Sequence, residues 1–161
     1  MTAAPSVGDH VGDFALPGGV GVGACFERRD FTLCQQRGSV LILAFYRGAD
    51  SSVCAQQMCS YSSSPDLFTD SGARVWGISP ESVDSSARFA LKHGLRVPLL
   101  SDPGRHVARS FGVETPGAQP RRAVFVIAPD GTLVWKYLAL SESSFPPPAV
   151  LARHLARVQR T

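Results

Sequence analysis

No stretch of this chain is apolar for long enough to cross a bilayer. The longest strongly apolar run is SVLILAFY at 39–46, whereas a helical span needs about 20 such residues. Nor does the opening MTAAPSVGDHVGDF pair a positive leader with an apolar stretch, which predicts no secretory signal and a cytoplasmic location. Charge of one sign is scarce. Sixteen Lys and Arg stand against 13 Asp and Glu, for a formal charge of +3 and a pI near 8.9. The basic residues are scattered, with small pairs at Arg28-Arg29 and Arg121-Arg122 and no stripe interleaved with aromatics, which argues against a nucleic-acid partner. His10, His93, His106 and His154 form no pair at ligand spacing, so no metal is expected. No G-x-G-x-x-G follows a strand, and PGGVGVG at 17–23 lacks a strand-to-helix setting, so no organic cofactor is expected either.

What is present describes a globular protein. With 161 residues and 44% hydrophobic content, the chain is long enough to bury one core without staples, and 1–161 reads as a single domain. PGGVGVG and FPPP read as loops, with a short hairpin around ACFERRDFTL. Val40 to Tyr46 is continuously apolar, the pattern of a strand buried on both faces. Turn chemistry follows at Gly48–Ser52, then a helix from Ser51 or Ser52 toward Asp70, weakened by SYSSSP. ARVWGIS reads as a strand. SPESVDSSARFALKHG reads as a helix with a serine cap, Pro80 at its first helical position, Gly94 as its stop, and Val83, Ala87, Ala90 and Leu91 on one face. VPLL forms a short strand, and DPGRHVARSFG a short helix capped by Asp102. Ala123–Ala128 and Thr132–Leu140 are strands around a PDG turn, and Val150, Leu151, Leu155 and Val158 mark a closing helix. Trp76 and Trp135 both read as core residues. This order specifies an α/β protein with a thioredoxin-like fold, a mixed central sheet flanked by helices on both faces.

Four cysteines in a reducing compartment suggest catalytic or redox thiols before structural disulfides. Cys54 falls where the first central strand hands over to its helix, at the carboxyl edge of the sheet where chemistry in open α/β folds gathers. Unpaired N–H groups and the helix dipole there favour thiolate; the alternative for a single cysteine is inert burial. Cys59 follows five residues later. On an ideal helix such residues are rotated by about 140° and their Cα atoms stand about 8.7 Å apart, beyond the roughly 7 Å a disulfide tolerates. The two can therefore join only if the first turns unwind, and the serines after Cys59 favour that, since they compete for backbone hydrogen bonds. A thioredoxin-type C-x-x-C is absent, because Ser51 occupies the position three before Cys54.

Taken in order, VGDFALP, FYRGADSSVC, ARVWGIS, SPESVDSSARFALKHGL, PLLSDPGRHVARSFGV and RRAVFVIAPDG resemble the successive segments of the peroxiredoxins. The closest likeness is to the PrxQ or bacterioferritin comigratory protein group, over nearly the whole chain. The resemblance implies a thiol-dependent peroxidase in which Cys54 is the peroxidatic cysteine and Ser51 the family's Thr or Ser three residues before it. Arg122, three residues before Phe125, is the implied strand arginine, with Arg121 as the substitute. Cys59 is the implied resolving cysteine, forming an intrasubunit disulfide with Cys54 that a thioredoxin or similar dithiol would reduce. The implied substrates are hydrogen peroxide and organic hydroperoxides, and the implied assembly a monomer or homodimer. One departure is plain: Arg47 stands where the family has a loop proline. The FYRG string also resembles a branch with C-x-x-C, whose first cysteine would be Ser51. Arg47 either adds a second positive charge to the substrate pocket or points to solvent. Two rivals follow: a peroxiredoxin-like oxidoreductase for a specialised thiol or disulfide, and a non-catalytic redox sensor on the same fold. Cys25 and Cys34 have no family counterpart and read as bland thiols.

Overall fold

The computed structural model describes residues 4–48, 52–63, 73–113, 122–139 and 145–159, with backbone alone at 52–54 and 156–159. The central strand forms where the sequence is most apolar: β3, Leu41–Phe45, is buried at every position. Around it lie β1 (Ala15–Val22), β2 (Cys25–Thr32), β4 (Arg74–Ser79), β5 (Leu99–Ser101), β6 (Ala123–Ile127) and β7 (Leu133–Leu138). They make one seven-stranded sheet in the order β2-β1-β5-β4-β3-β6-β7. β3, β4 and β5 run parallel, while β6 lies antiparallel to β3 with Phe45 opposite Ala123.

The helices are α1 (Ser52–Ser62), α2 (Val83–His93), α3 (His106–Ser110) and α4 (Pro148–Gln159), with a short 3-10 turn at Leu33–Gln36. Because successive strand residues point to opposite faces, β3 feeds two cores. Ile42 and Ala44 pack with Met58 and Tyr61 of α1, Phe89 of α2, and Leu151 and Leu155 of α4. Leu41, Leu43 and Phe45 pack with Val107 and Ala108 of α3, Phe111, and Phe31 of β2. Both faces are covered, as the sequence pattern predicts. No helix among the described residues is long and apolar enough to cross a membrane.

Several expectations need correction. PGGVGVG is strand, not loop: Pro17–Val22 belong to β1, which pairs with all of β2 and, through Gly18 and Gly19, with Leu100 and Leu99. A Cβ on Gly18 would run into the Leu99 carbonyl and come within 2.9 Å of the Leu100 Cα, so glycine here answers a close approach of backbones. ACFERRDFTL is accordingly one arm of a longer hairpin and not a hairpin in itself. The helix of SPESVDSSARFALKHG starts later than expected. Its cap is Ser82, whose hydroxyl accepts from Ser85 N at 3.1 Å, and Ser79 and Pro80 lie outside it. Gly94, left-handed at φ 63°, does stop it. Its buried face is Ser86, Phe89 and Ala90, leaving Leu91 exposed. The closing helix opens on Pro148, the position that dispenses with a backbone donor. The helix from Ser52 ends at Ser62, and its expected continuation toward Asp70 lies outside the described residues beyond Ser63.

Asp102 is not the residue adjoining α3; Arg105, left-handed at φ 59°, occupies that place. The buried Asp102 carboxylate instead reaches forward to accept from Ala108 N at 3.0 Å. Burial raises its pKa above the ordinary 3.8, against the opposing pull of the helix amides. A raised native value means that the folded state takes up this proton more readily than the unfolded chain. Stability from this group is therefore lost as pH climbs from near 3.8 through the raised native value. Asp102→Asn, which keeps an acceptor and removes the charge, is expected to gain stability relative to the parent across that window. Urea midpoints of both proteins over a pH series check this; a constant difference, or one of opposite sign, contradicts it.

Candidate functional site

β3 ends at Phe45, and after the loop the chain enters α1 at Ser52. Cys54 is thus the third residue of a helix that leaves the carboxyl edge of the parallel strands. Backbone N–H groups of a helical first turn lack intrahelical acceptors and carry the positive end of the dipole. Ser51 and Arg121 lie outside the described residues.

Arg122 arrives at the same edge from another strand. The pairing of Phe45 with Ala123 sets Arg122 beside Tyr46 at the end of β3, and the Arg122 carbonyl extends the β6–β7 ladder by accepting from Ala139 N at 2.9 Å. The side chain is 2% exposed, and its charge acts on the Tyr61 phenol. A guanidinium does not deprotonate in a protein. The edge from which α1 departs therefore carries a permanent buried cation. Arg47 is half-buried in the connecting loop rather than projecting freely into water. Gly48, at φ 147°, brings that loop against the Glu81 carboxylate, which also accepts from Ser85 Oγ at 2.8 Å.

Cys59 sits one and a half turns beyond Cys54 on an unbroken helix, half-buried against the α1-side core. Its carbonyl accepts from Ser63 N at 2.9 Å and Ser63 Oγ at 2.6 Å, so the serines close the last turn. Helical geometry keeps the two cysteines out of bonding distance in this state.

Sequence reasoning missed what pins this helix. Gln57, Met58 and Tyr61 follow Cys54 at helical spacing, and all three are buried. Gln57 Nε2 donates to Tyr61 Oη at 3.3 Å, and Tyr61 Oη donates to the Pro146 carbonyl at 2.7 Å. Burial pushes the Tyr61 phenol well above its usual range, which keeps it a donor. The available signal was a polar Gln at an i, i+3, i+4 core position.

The remaining cysteines lie elsewhere in the fold. Cys25 opens β2 and is exposed. Cys34 is exposed and follows Asp13, whose Oδ1 accepts from Cys34 N at 2.8 Å and whose carboxylate pushes the thiol up, away from thiolate.

A mixed sheet with helices on both faces, and a cysteine in the first turn after its central strand, defines the class: a thiol protein of thioredoxin-like fold. The AhpC/TSA family model matches residues 7–136. A putative peroxiredoxin of Mycobacterium tuberculosis is 33% identical over 134 residues, 79% of this chain and 81% of that protein. Chloroplastic peroxiredoxin Q of Sedum lineare is 33% identical over 113 residues, 69% of this chain and 61% of that protein. Among solved structures, peroxidoxin BcpB of Mycobacterium tuberculosis superposes with a TM-score of 0.76 at 29% identity, covering 96% of each chain. Peroxiredoxin Q of Xanthomonas campestris gives 0.68 at 26%, covering 81% of this chain and 84% of its own. The chain belongs to the AhpC/TSA family, and these relatives bear the names of peroxiredoxins, thiol peroxidases of the PrxQ/BCP group.

The clamp on α1 makes a direct prediction. Tyr61→Phe leaves a buried carbonyl and a buried amide without their shared partner, and is expected to cost about 1–3 kcal/mol of unfolding free energy. Urea denaturation measures it; a loss under about 0.5 kcal/mol would show that the hydroxyl does not hold the helix.

Proposed function

We propose that this protein reduces hydrogen peroxide or organic hydroperoxides through Cys54, with Cys59 as the resolving thiol. The observation that carries the reading is the meeting, at one sheet edge, of the first turn of α1 with the buried Arg122. Both favour negative charge on a sulfur at position 54. The Cys54 thiolate attacks one peroxide oxygen, the O–O bond breaks, and the other oxygen leaves as water or an alcohol after taking a proton. Ser51 would hydrogen-bond substrate and sulfur, Arg122 would stabilise the leaving oxygen, and Arg47 would add a second charge to the pocket. Cys59 then attacks the sulfenic sulfur, expelling water and forming a disulfide, which a thioredoxin-like dithiol reduces by exchange.

Because an intact α1 holds the cysteines apart, the resolving step requires its first turns to open. The enzyme is proposed to work in the cytoplasm as a monomer or homodimer. Arg47 in place of a loop proline leaves a second reading, an oxidoreductase for a specialised thiol or disulfide substrate.

Intact mass after one equivalent of hydrogen peroxide separates the readings, using fully reduced protein alongside Cys54→Ser and Cys59→Ser. The parent is expected to lose two hydrogens rapidly, both variants to fail in this, and Cys59→Ser to gain oxygen at Cys54. No change in the parent within minutes contradicts the peroxidase and favours the specialised substrate.

A further inference from the structure

At the opposite pole from Cys54 the structure holds a cavity of about 470 Å³, within the size range of small-molecule sites. It lies between the end of β2, the last turn of α1, the start of β4 and the segment leading into β5. About 12 Å of helix separates its α1 wall at Ser62 from Cys54.

Its lining has two parts. Trp76 and Phe31, 2% and 5% exposed, meet edge to face with centroids 5.4 Å apart and supply an aromatic wall. Arg29, Arg74 and Arg96 supply charge. Arg29 lies 5.0 Å over the Phe31 ring, Arg74 Nη1 donates to Gln36 Oε1 at 3.2 Å, and Arg96 is fixed through its backbone N–H, which donates to Ser62 Oγ at 2.9 Å. One carboxylate, Asp30, also lines the cavity, yet among the described residues no carboxylate forms an ion pair with any of the three arginines. Among the described residues the cavity lining therefore carries a net positive charge beside an aromatic wall.

We infer that this cavity is a binding site for a small organic anion with an aromatic body and a phosphate, sulfonate or carboxylate head. Guanidinium forks match such heads bidentately, and the ring would lie on the apolar side of the cavity, whose wall Phe31 and Trp76 back. The inference does not rest on the peroxidase reading, since Ser51, Cys54, Cys59, Arg47 and Arg122 are not among the residues that line the cavity.

Isothermal titration calorimetry on the reduced full chain tests this, with 1-naphthyl phosphate as probe and 1-naphthol and inorganic phosphate as its separate halves. The expected result is one saturable site for 1-naphthyl phosphate, about ten-fold tighter than either half. Arg74→Gln and Arg96→Gln, both at exposed positions, should each weaken it about five-fold, while Arg153→Gln on the exposed side of α4 leaves it unchanged. No saturable binding overturns the inference, as does equal affinity for 1-naphthol, or binding that neither cavity variant alters.

Discussion

The constraint on which this structure turns is the pitch of α1. Cys54 and Cys59 share a helix whose geometry forbids their union while it is intact, with Cα atoms about 8.7 Å apart, and the helix is anchored along its inner face. Gln57, Met58 and Tyr61 bury its inner face, and Tyr61 ties it to Pro146 ahead of α4. Burying a side chain such as Met58 stabilises by about 1.5–3 kcal/mol, and the polar pair adds the cost of leaving its groups unpaired. The reduced protein is thereby held in the state in which Cys54 stands in a helical first turn, at the sheet edge to which β6 brings Arg122. Catalysis in this account alternates between that state, suited to meeting peroxide, and an opened one in which the second thiol can reach the first.

The sheet prepares the first state. β3 is buried on both faces and cannot shift, and its antiparallel pairing with β6 delivers Arg122 to the edge where α1 begins. The start of α1 and Arg122 come from positions far apart in the sequence, so their arrival at one edge of the sheet is a property of strand order. The same order puts the aromatic and arginine-lined cavity at the other end of α1.

Much of this was legible from residue patterns. The unbroken apolar run of β3, the left-handed Gly94, and the Pro129-Asp130-Gly131 turn, with Gly131 at φ 91° and Asp130 Oδ1 accepting from Thr132 N, all act through local physics that a sequence displays. What was hidden depends on neighbours distant in the chain. Gly18 and Gly19 look like loop until β5 and β2 are seen crowding their Cα atoms. Ser79 looks like a helix cap, but it ends β4 as a buried residue. Nothing in the sequence near Gln57 shows its partners, because Tyr61 is tied in turn to Pro146, 85 residues further on. The order of cysteine, serine and arginine was readable as a family likeness, while the burial of Arg122 required the fold.

The central claim is that α1 opens when Cys54 is oxidised. Amide hydrogen exchange across 52–62, compared between reduced protein and protein treated with one equivalent of hydrogen peroxide, tests it most directly. The account predicts that protection in this segment falls on oxidation while β3 and β6 remain protected. Equal protection of 52–62 in a protein that has formed the Cys54–Cys59 bond would contradict it.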